Sequence, residues 1–163
     1  MHLSQIASQN PNKPAYIMAG SGQTVTYEGL EAGSNQLAQL FRSLGLMRGD
    51  HIAILLENHA LFLQICVAAQ RAGIYYTAIS YRLQSDEVEY IVNDCGARVF
   101  ITSIDRRAVV EPLIGRLENL DQFFMLDGVI AGFESLEAAM QNQSTQMIED
   151  ESIGTSMLYS SGT

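Results

Sequence analysis

The residues of this chain best suited to chemistry stand in one run, Tyr159-Ser160-Ser161-Gly162-Thr163. Glycine lets backbone N–H groups approach a ligand closely because no Cβ intervenes. Ser160, Ser161 and Thr163 add hydroxyl donors, and successive loop amides can form a concave anion-binding nest. A polyphosphate is the natural guest of such a surface. The same residues also suit a small-residue turn or tail, so the run alone leaves both readings open.

Other chemistries find no support. Gly20-Ser21-Gly22 is a hairpin turn rather than the start of a GxGxxG fingerprint, and Lys13 follows no glycine loop of the GxxxxGK[ST] kind. No GxSxG elbow surrounds Ser160 or Ser161. Cys66 and Cys95 lie in separate predicted helices without a CxxC pair or a neighbouring histidine, as expected of small buried residues in a reducing compartment. His2, His51 and His59 lack metal-ligand spacing.

The formal charge of −9 and the single lysine, Lys13, argue against nucleic acid and anionic membranes as partners, because phosphate backbones are held by clustered cations. The arginines are scattered, only Arg106 and Arg107 being adjacent. The longest apolar patch, Leu61 to Ala69, is interrupted by Gln64 and is too short to span a bilayer. No basic-then-apolar leader opens the chain, and a cytoplasmic location is expected.

The elements that must position the terminal run can be read from periodicity. Ala15 to Ala19 and Gln23 to Tyr27 flank Gly20-Ser21-Gly22 as a hairpin. Thr26 is the expected N-cap of a helix over Tyr27 to Leu44, with Leu30, Leu37, Leu40, Phe41 and Leu44 on its buried stripe and Gly45 ending it. Gly29 and Gly33 should weaken this helix by roughly 1 kcal/mol each unless close packing requires them. His51 to Leu56 predicts a strand, and Asn58 then caps a helix over His59 to Ala72 that Gly73 ends. Ile74 to Ile79 predicts a strand, followed by a helix capped by Ser85 with Asp86 and Glu87 in its first turn and Gly96 at its end. Arg98 to Thr102 is a strand, and a helix is expected around Asp105 to Leu117, kinked by Pro112 or started near it. Gln122 to Leu126 is a strand and Phe133 to Gln141 a short helix. Gln141 to Ser152, polar and without periodicity, reads as a surface connection, and Thr155 to Tyr159 as a last strand pointing into the terminal run. Strand-helix alternation of this kind predicts an α/β fold, a mainly parallel sheet covered by helices, with the hairpin at its N-terminal side.

The order of these segments resembles the N-terminal part of the ATP-dependent adenylate-forming enzymes, the superfamily of acyl-CoA synthetases, peptide-synthetase adenylation domains and luciferases. Thr26-Tyr27-Glu28-Gly29-Leu30 and Asn35-Gln36-Leu37-Ala38 carry the resemblance, with Leu44-Gly45-Leu46 and Arg48-Gly49-Asp50-His51-Ile52-Ala53. It continues through Asn58, Phe62, Ala69-Gln70-Arg71-Ala72-Gly73 and Tyr81-Arg82-Leu83. Glu87, Glu89-Tyr90-Ile91 and Asp94-Cys95-Gly96-Ala97-Arg98 follow in order. Tyr159 to Thr163 match the first five positions of the family loop [YF][ST]SG[ST]TGxPKG. The match covers roughly residues 11–103 and 152–163, while 104–151 agree only in pattern. Tyr75 to Leu83 and Asp94 to Arg98 look most like fatty-acyl or related acyl-CoA ligases. Gly29 stands where the family often has glutamate and Ser80 where many members have asparagine.

The resemblance implies that a carboxylic acid attacks ATP with Mg²⁺ to give an acyl-adenylate, and that coenzyme A then displaces AMP. It implies that Ser160, Ser161, Gly162 and Thr163 hold the ATP phosphates, and it offers Thr163 as a hydroxyl on the Mg²⁺ side. Residues 1–163 are then expected to be the N-terminal portion of the large AMP-binding domain, cut inside the phosphate loop, with the C-terminal domain absent. Such a piece should be inactive alone and self-associate through surface meant to be covered. The alternative from another class is a stand-alone, non-catalytic α/β binding or interaction module.

Overall fold

The runs His51–Leu55 (β3), Ala97–Ser103 (β5) and Gln122–Leu126 (β6) are almost continuously apolar, so neither face of such a strand can be left to water. The computed structural model, which describes residues 2–159, buries them in the middle of one sheet. That sheet has the order β4-β3-β5-β6-β7, with Tyr75–Ile79 as β4 and Glu134–Ser135 as β7, and every pairing in it is parallel. Helix α3 (Phe62–Arg71) links β3 to β4 on one side, and α4 (Ser85–Asp94) leads back past β3 to β5 on the other. The order therefore reverses between β3 and β5, where doubly wound sheets open a crevice.

The strand period of two sorts the core into two layers. Ile52 and Ile54 of β3, Val99 and Ile101 of β5, and Phe124 and Leu126 of β6 pack with helices α2 (Tyr27–Ser43), α3 and α6 (Leu136–Gln141). Ala53, Leu55, Phe100 and Met125 face the other way, onto Val88, Val92, Val110 and Leu113. The α/β class and parallel sheet are as the alternation predicts. So is the hairpin, Pro14–Ile17 (β1) against antiparallel Thr24–Thr26 (β2), which rests on a small cluster around Val25, Leu30 and Ala60.

Local signals succeed where they are self-contained. Thr26 Oγ1 accepts the Gly29 N–H at 3.1 Å as the N-cap of α2, and Gly45 adopts φ +76° after its end. They fail where packing intervenes. Asn58 caps no helix: α3 starts at Phe62, because His59 turns its ring back so that Nδ1 accepts the Leu61 N–H at 3.1 Å. Ser85 is the first residue of α4 rather than its cap, its hydroxyl donating to Val109 O at 2.7 Å while the Glu87 carboxylate accepts from the Gln84 N–H at 2.9 Å. The helix expected over 105–117 is broken into a 3₁₀ turn Ile104–Arg106, one α-turn Arg107–Val110 (α5) and a second 3₁₀ turn Glu111–Leu113. Pro112 sits inside that last turn, where its missing N–H forbids a continuous helix. The short helix begins at Leu136, not Phe133, with the Ser135 hydroxyl accepting from the Ala138 N–H. A further helix, Leu3–Gln9 (α1), precedes the hairpin without a periodic signal of its own.

Candidate functional site at the end of the β4 edge

β4 is an outer strand, hydrogen-bonded to β3 on one side only. Its free edge receives the segment that leads to the terminal run. Tyr76 N–H donates to Thr155 O at 3.1 Å and Met157 N–H donates to Tyr76 O at 2.9 Å, a single parallel bridge between Ser156 and Tyr76. Upstream, Ser152 N–H donates to Arg71 O at 2.9 Å and Gly154 N–H to Gln70 O at 2.8 Å. The expected strand over Thr155 to Tyr159 is thus reduced to one bridge. Tyr159 instead turns toward the end of α4, where its phenol donates to the Asp94 carboxylate.

A close approach of two backbones makes this docking possible. A Cβ on Gly154 would lie 2.3 Å from Ile74 O, 2.6 Å from Ala69 O and 2.7 Å from Ile74 N. Only glycine fits there. The bridge pairs Ser156 with Tyr76 in the parallel sense, so the segment enters this edge running in the direction of β4, whose carboxyl end is where α/β sheets gather ligands.

Tyr159 there lines a cleft of about 670 Å³ with Thr77, Ile79, Ser80, Leu83 and Tyr90. Burial first, then the hydrogen bond and charge of Asp94, push the Tyr159 phenol well above its ordinary range, so it remains a proton donor. The cleft's charged lining is acidic, Asp86 and Glu87, and no lysine or arginine lines it among the described residues. Nearby Arg116 is held by Asp86 and Glu89. This wall offers phosphate no cation of its own, so a phosphate against it would rely on loop amides and hydroxyls. The four residues singled out for that task, Ser160, Ser161, Gly162 and Thr163, lie outside the described residues. Among the described residues no three His, Cys, Asp or Glu side chains come together to hold a metal ion.

Two polar clusters escape a reading of sequence alone. At the β3/β5 switch point the Glu57 carboxylate accepts from Ser103 Oγ at 2.8 Å, and Arg106 donates to Tyr81 O at 3.1 Å with its guanidinium 5.8 Å from the Tyr81 ring centre. Behind the docked segment, Arg71 is buried with its side chain 4% exposed and bonds to Glu31 and Asn35, with Glu151 3.7 Å away. The available signal was an arginine set among the alanines of a helix stripe, Ala68, Ala69 and Ala72. A charge in that position must be paired. Cys66 and Cys95 are free and buried, and burial pushes the Cys66 thiol up to about 12. Neither serves as a nucleophile at neutral pH.

Known proteins share this arrangement. The sequence pattern of the AMP-binding enzymes matches residues 3–163. The long-chain-fatty-acid–CoA ligase FadD13 of Mycobacterium tuberculosis is 29% identical over 111 residues, covering 68% of this chain and 22% of that protein. The anthranilate CoA ligase AuaEII, solved with anthranoyl-AMP, superposes with a TM-score of 0.88 at 24% identity over 98% of this chain and 31% of its own. The N-terminal domain of FACL13 from Mycobacterium tuberculosis superposes with a TM-score of 0.80 at 23% identity, covering 91% of this chain and 37% of that one. The chain spans about a fifth of the length of the curated relatives it matches, 22% for the first two. With a family pattern running along nearly all of its residues, the chain belongs to the AMP-binding enzymes.

Proposed function

We propose that these 163 residues are the amino-terminal portion of the large AMP-binding domain of an ATP-dependent acyl-CoA synthetase, acting on a carboxylic acid of fatty-acyl type in the cytoplasm. The observation that carries the reading is the family match continuing through the β4-edge segment into Ser160-Ser161-Gly162-Thr163, the half-loop suited to phosphate. A fatty-acid ligase and an anthranilate CoA ligase among its relatives support the reaction class. No described helix is long and apolar enough to cross a membrane.

In the first step a substrate carboxylate oxygen attacks the α-phosphorus of ATP. The acyl-phosphate bond forms, the bond to the β-phosphate oxygen breaks, and pyrophosphate leaves. In the second, the coenzyme A sulfur attacks the acyl carbon and AMP leaves. The part assigned to Ser160, Ser161, Gly162 and Thr163 is to donate hydrogen bonds to the β- and γ-phosphates as charge moves onto pyrophosphate, a contribution of position and electrostatics. Mg²⁺ would enter with the phosphates and neutralise part of that charge, with the Thr163 hydroxyl as the contact this chain offers.

The small share of its relatives' length that the chain spans supports the companion reading that residues 1–163 alone do not catalyse. The test is acid-dependent exchange of labelled pyrophosphate into ATP, run on the whole protein and on the 163-residue chain. Exchange by the whole protein with a fatty acid, and none by the shorter chain, is expected. Absence of exchange from the whole protein across fatty, aromatic and short carboxylic acids would overturn the function. Micromolar ATP affinity of the 163-residue chain in calorimetry would show the site to be misplaced.

A further inference from the structure

The stretch from Asn142 to Glu151 has turns and bends but no helix or strand, and nearly all of it is exposed. Its backbone carbonyls nevertheless have dedicated partners. Helix α2 presents a row of donors: Asn35 Nδ2 to Thr145 O at 2.9 Å, Gln36 Nε2 to Gln143 O at 3.2 Å, and Gln39 Nε2 to Gln146 O at 2.9 Å and Met147 O at 3.3 Å. One turn further, Arg42 Nε reaches both oxygens of Asp150 at 3.1 Å, while its other nitrogens donate to Leu46 O and to Ala72 O. Residues 35, 39 and 42 recur at helical spacing, so the donors form one line along the helix. Ile148 alone turns inward, buried in the main core cluster.

This line ends where the β4-edge docking begins. Arg42 joins the strap to the last carbonyl of the α3 region, at Ala72, and Ala72 itself bridges Ser152. Two residues on, Gly154 is wedged against Ile74. A segment that reads as a loose connection is therefore laid down from Gln143 to Met157, by its carbonyls at 143–147, by the Asp150 carboxylate and by backbone bonds at 152–157, along a helix and a sheet edge.

We propose that Gln36 and Gln39, with Arg42, are positioning residues: they hold the strap at 143–150 so that the chain docks on the β4 edge in one register, and thereby fix the point from which it runs on toward the residues assigned to phosphate. This rests on the function proposed above. It assigns no contact with substrate to any of the three. The physical reason is entropic: a chain already tethered up to Met157 has less freedom to lose when phosphate binds beyond it.

The test uses Gln36→Met with Gln39→Met, which keeps side-chain length and helix propensity but removes the donors, and Gln39→Lys, which retains one. In the 163-residue chain, hydrogen exchange at the Ser152, Gly154 and Met157 amides should quicken roughly fivefold or more in the double variant, while β3 and β5 amides stay unchanged. In the whole protein the same variant should raise KM for ATP roughly threefold or more without moving KM for the carboxylic acid, and Gln39→Lys should behave as wild type. Unchanged exchange would overturn the strap. Faster exchange with an unchanged KM for ATP, or equal shifts for both substrates, would overturn its positioning role. A wild-type protein that performs no ATP–pyrophosphate exchange would remove the function and the positioning role together, while the exchange arm still decides whether the strap is held.

Discussion

Gly154→Ala offers the sharpest test of how the terminal segment is held. The added methyl would stand 2.3 Å from Ile74 O, 2.6 Å from Ala69 O and 2.7 Å from Ile74 N, all main-chain atoms that no rotamer change can move. Restoring contacts of ~3.5 Å needs a displacement of about 1 Å. If the segment stays, the overlap costs ~1–3 kcal/mol or more. If it leaves, it forfeits the bonds from Ser152 to Arg71, Gly154 to Gln70, Met157 to Tyr76 and Tyr76 to Thr155. At about 0.5–1.5 kcal/mol each these sum to ~2–6 kcal/mol. The two routes meet near 3 kcal/mol, an increase of more than about a hundredfold in the open population of this segment. Hydrogen exchange read residue by residue should show that increase at Ser152 and Met157, with β3 and β5 amides keeping their rates. Wild-type exchange at Ser152 and Met157 in the alanine variant would refute the steric reasoning.

Three further outcomes follow from the same contacts. Gly29→Ala should stabilise the protein by roughly 0.5–1 kcal/mol in urea unfolding, because the new Cβ would meet only Thr26 Oγ1 at 3.5 Å and Val25 Cγ1 at 3.8 Å; a lowered midpoint would contradict this. Arg71→Met should cost about 3 kcal/mol, since it strips Glu31 and Glu151 of their shared cation; a loss below about 1 kcal/mol would show that the pair contributes little. Finally, the Cys66 thiol is held near 12 against an ordinary value of 9.0. Its folded value is the raised one, so its contribution is complete below pH 9 and is lost as pH rises toward 12, by up to about 1.4 kcal/mol per pH unit. Cys66→Ala should therefore flatten the fall in urea stability between pH 8 and pH 10, and an unaltered slope would sink the assignment.

Gly29 and Gly33 illustrate what a linear reading lacks. Both sit in α2 and both carry the same helix penalty. Only Gly33 is crowded, because a Cβ there would come within 1.9 Å of Gln64 Oε1 on α3 and force that buried amide to turn away. Propensity is a property of the residue, whereas the need for glycine is a property of its neighbour. The same division separates Thr26, a cap whose partner lies three residues away, from Asn58, whose expected cap is displaced by the turn that His59 makes.

By itself the sequence determined the α/β class, the alternation of strands and helices from Tyr27 to Leu126, the hairpin and the terminal hydroxyl-glycine run, while α1, the short strand Glu134–Ser135 and the break at 104–113 went unread. Those signals are local: an apolar run of strand length must be buried on both faces, and a helix stripe repeats within a few residues. Only the tertiary structure decided that residues 143–157 are a strap and not a linker. Its carbonyls are claimed by side chains as far as 110 residues away in sequence, on a helix whose polar face looks, in isolation, like ordinary solvated surface. Hydrogen bonds of that kind leave no periodicity behind, because each depends on where two distant backbones come to lie. The run that could hold phosphate was legible from its chemistry, while the line of donors that leads the chain toward it emerged only when the helix and the segment met.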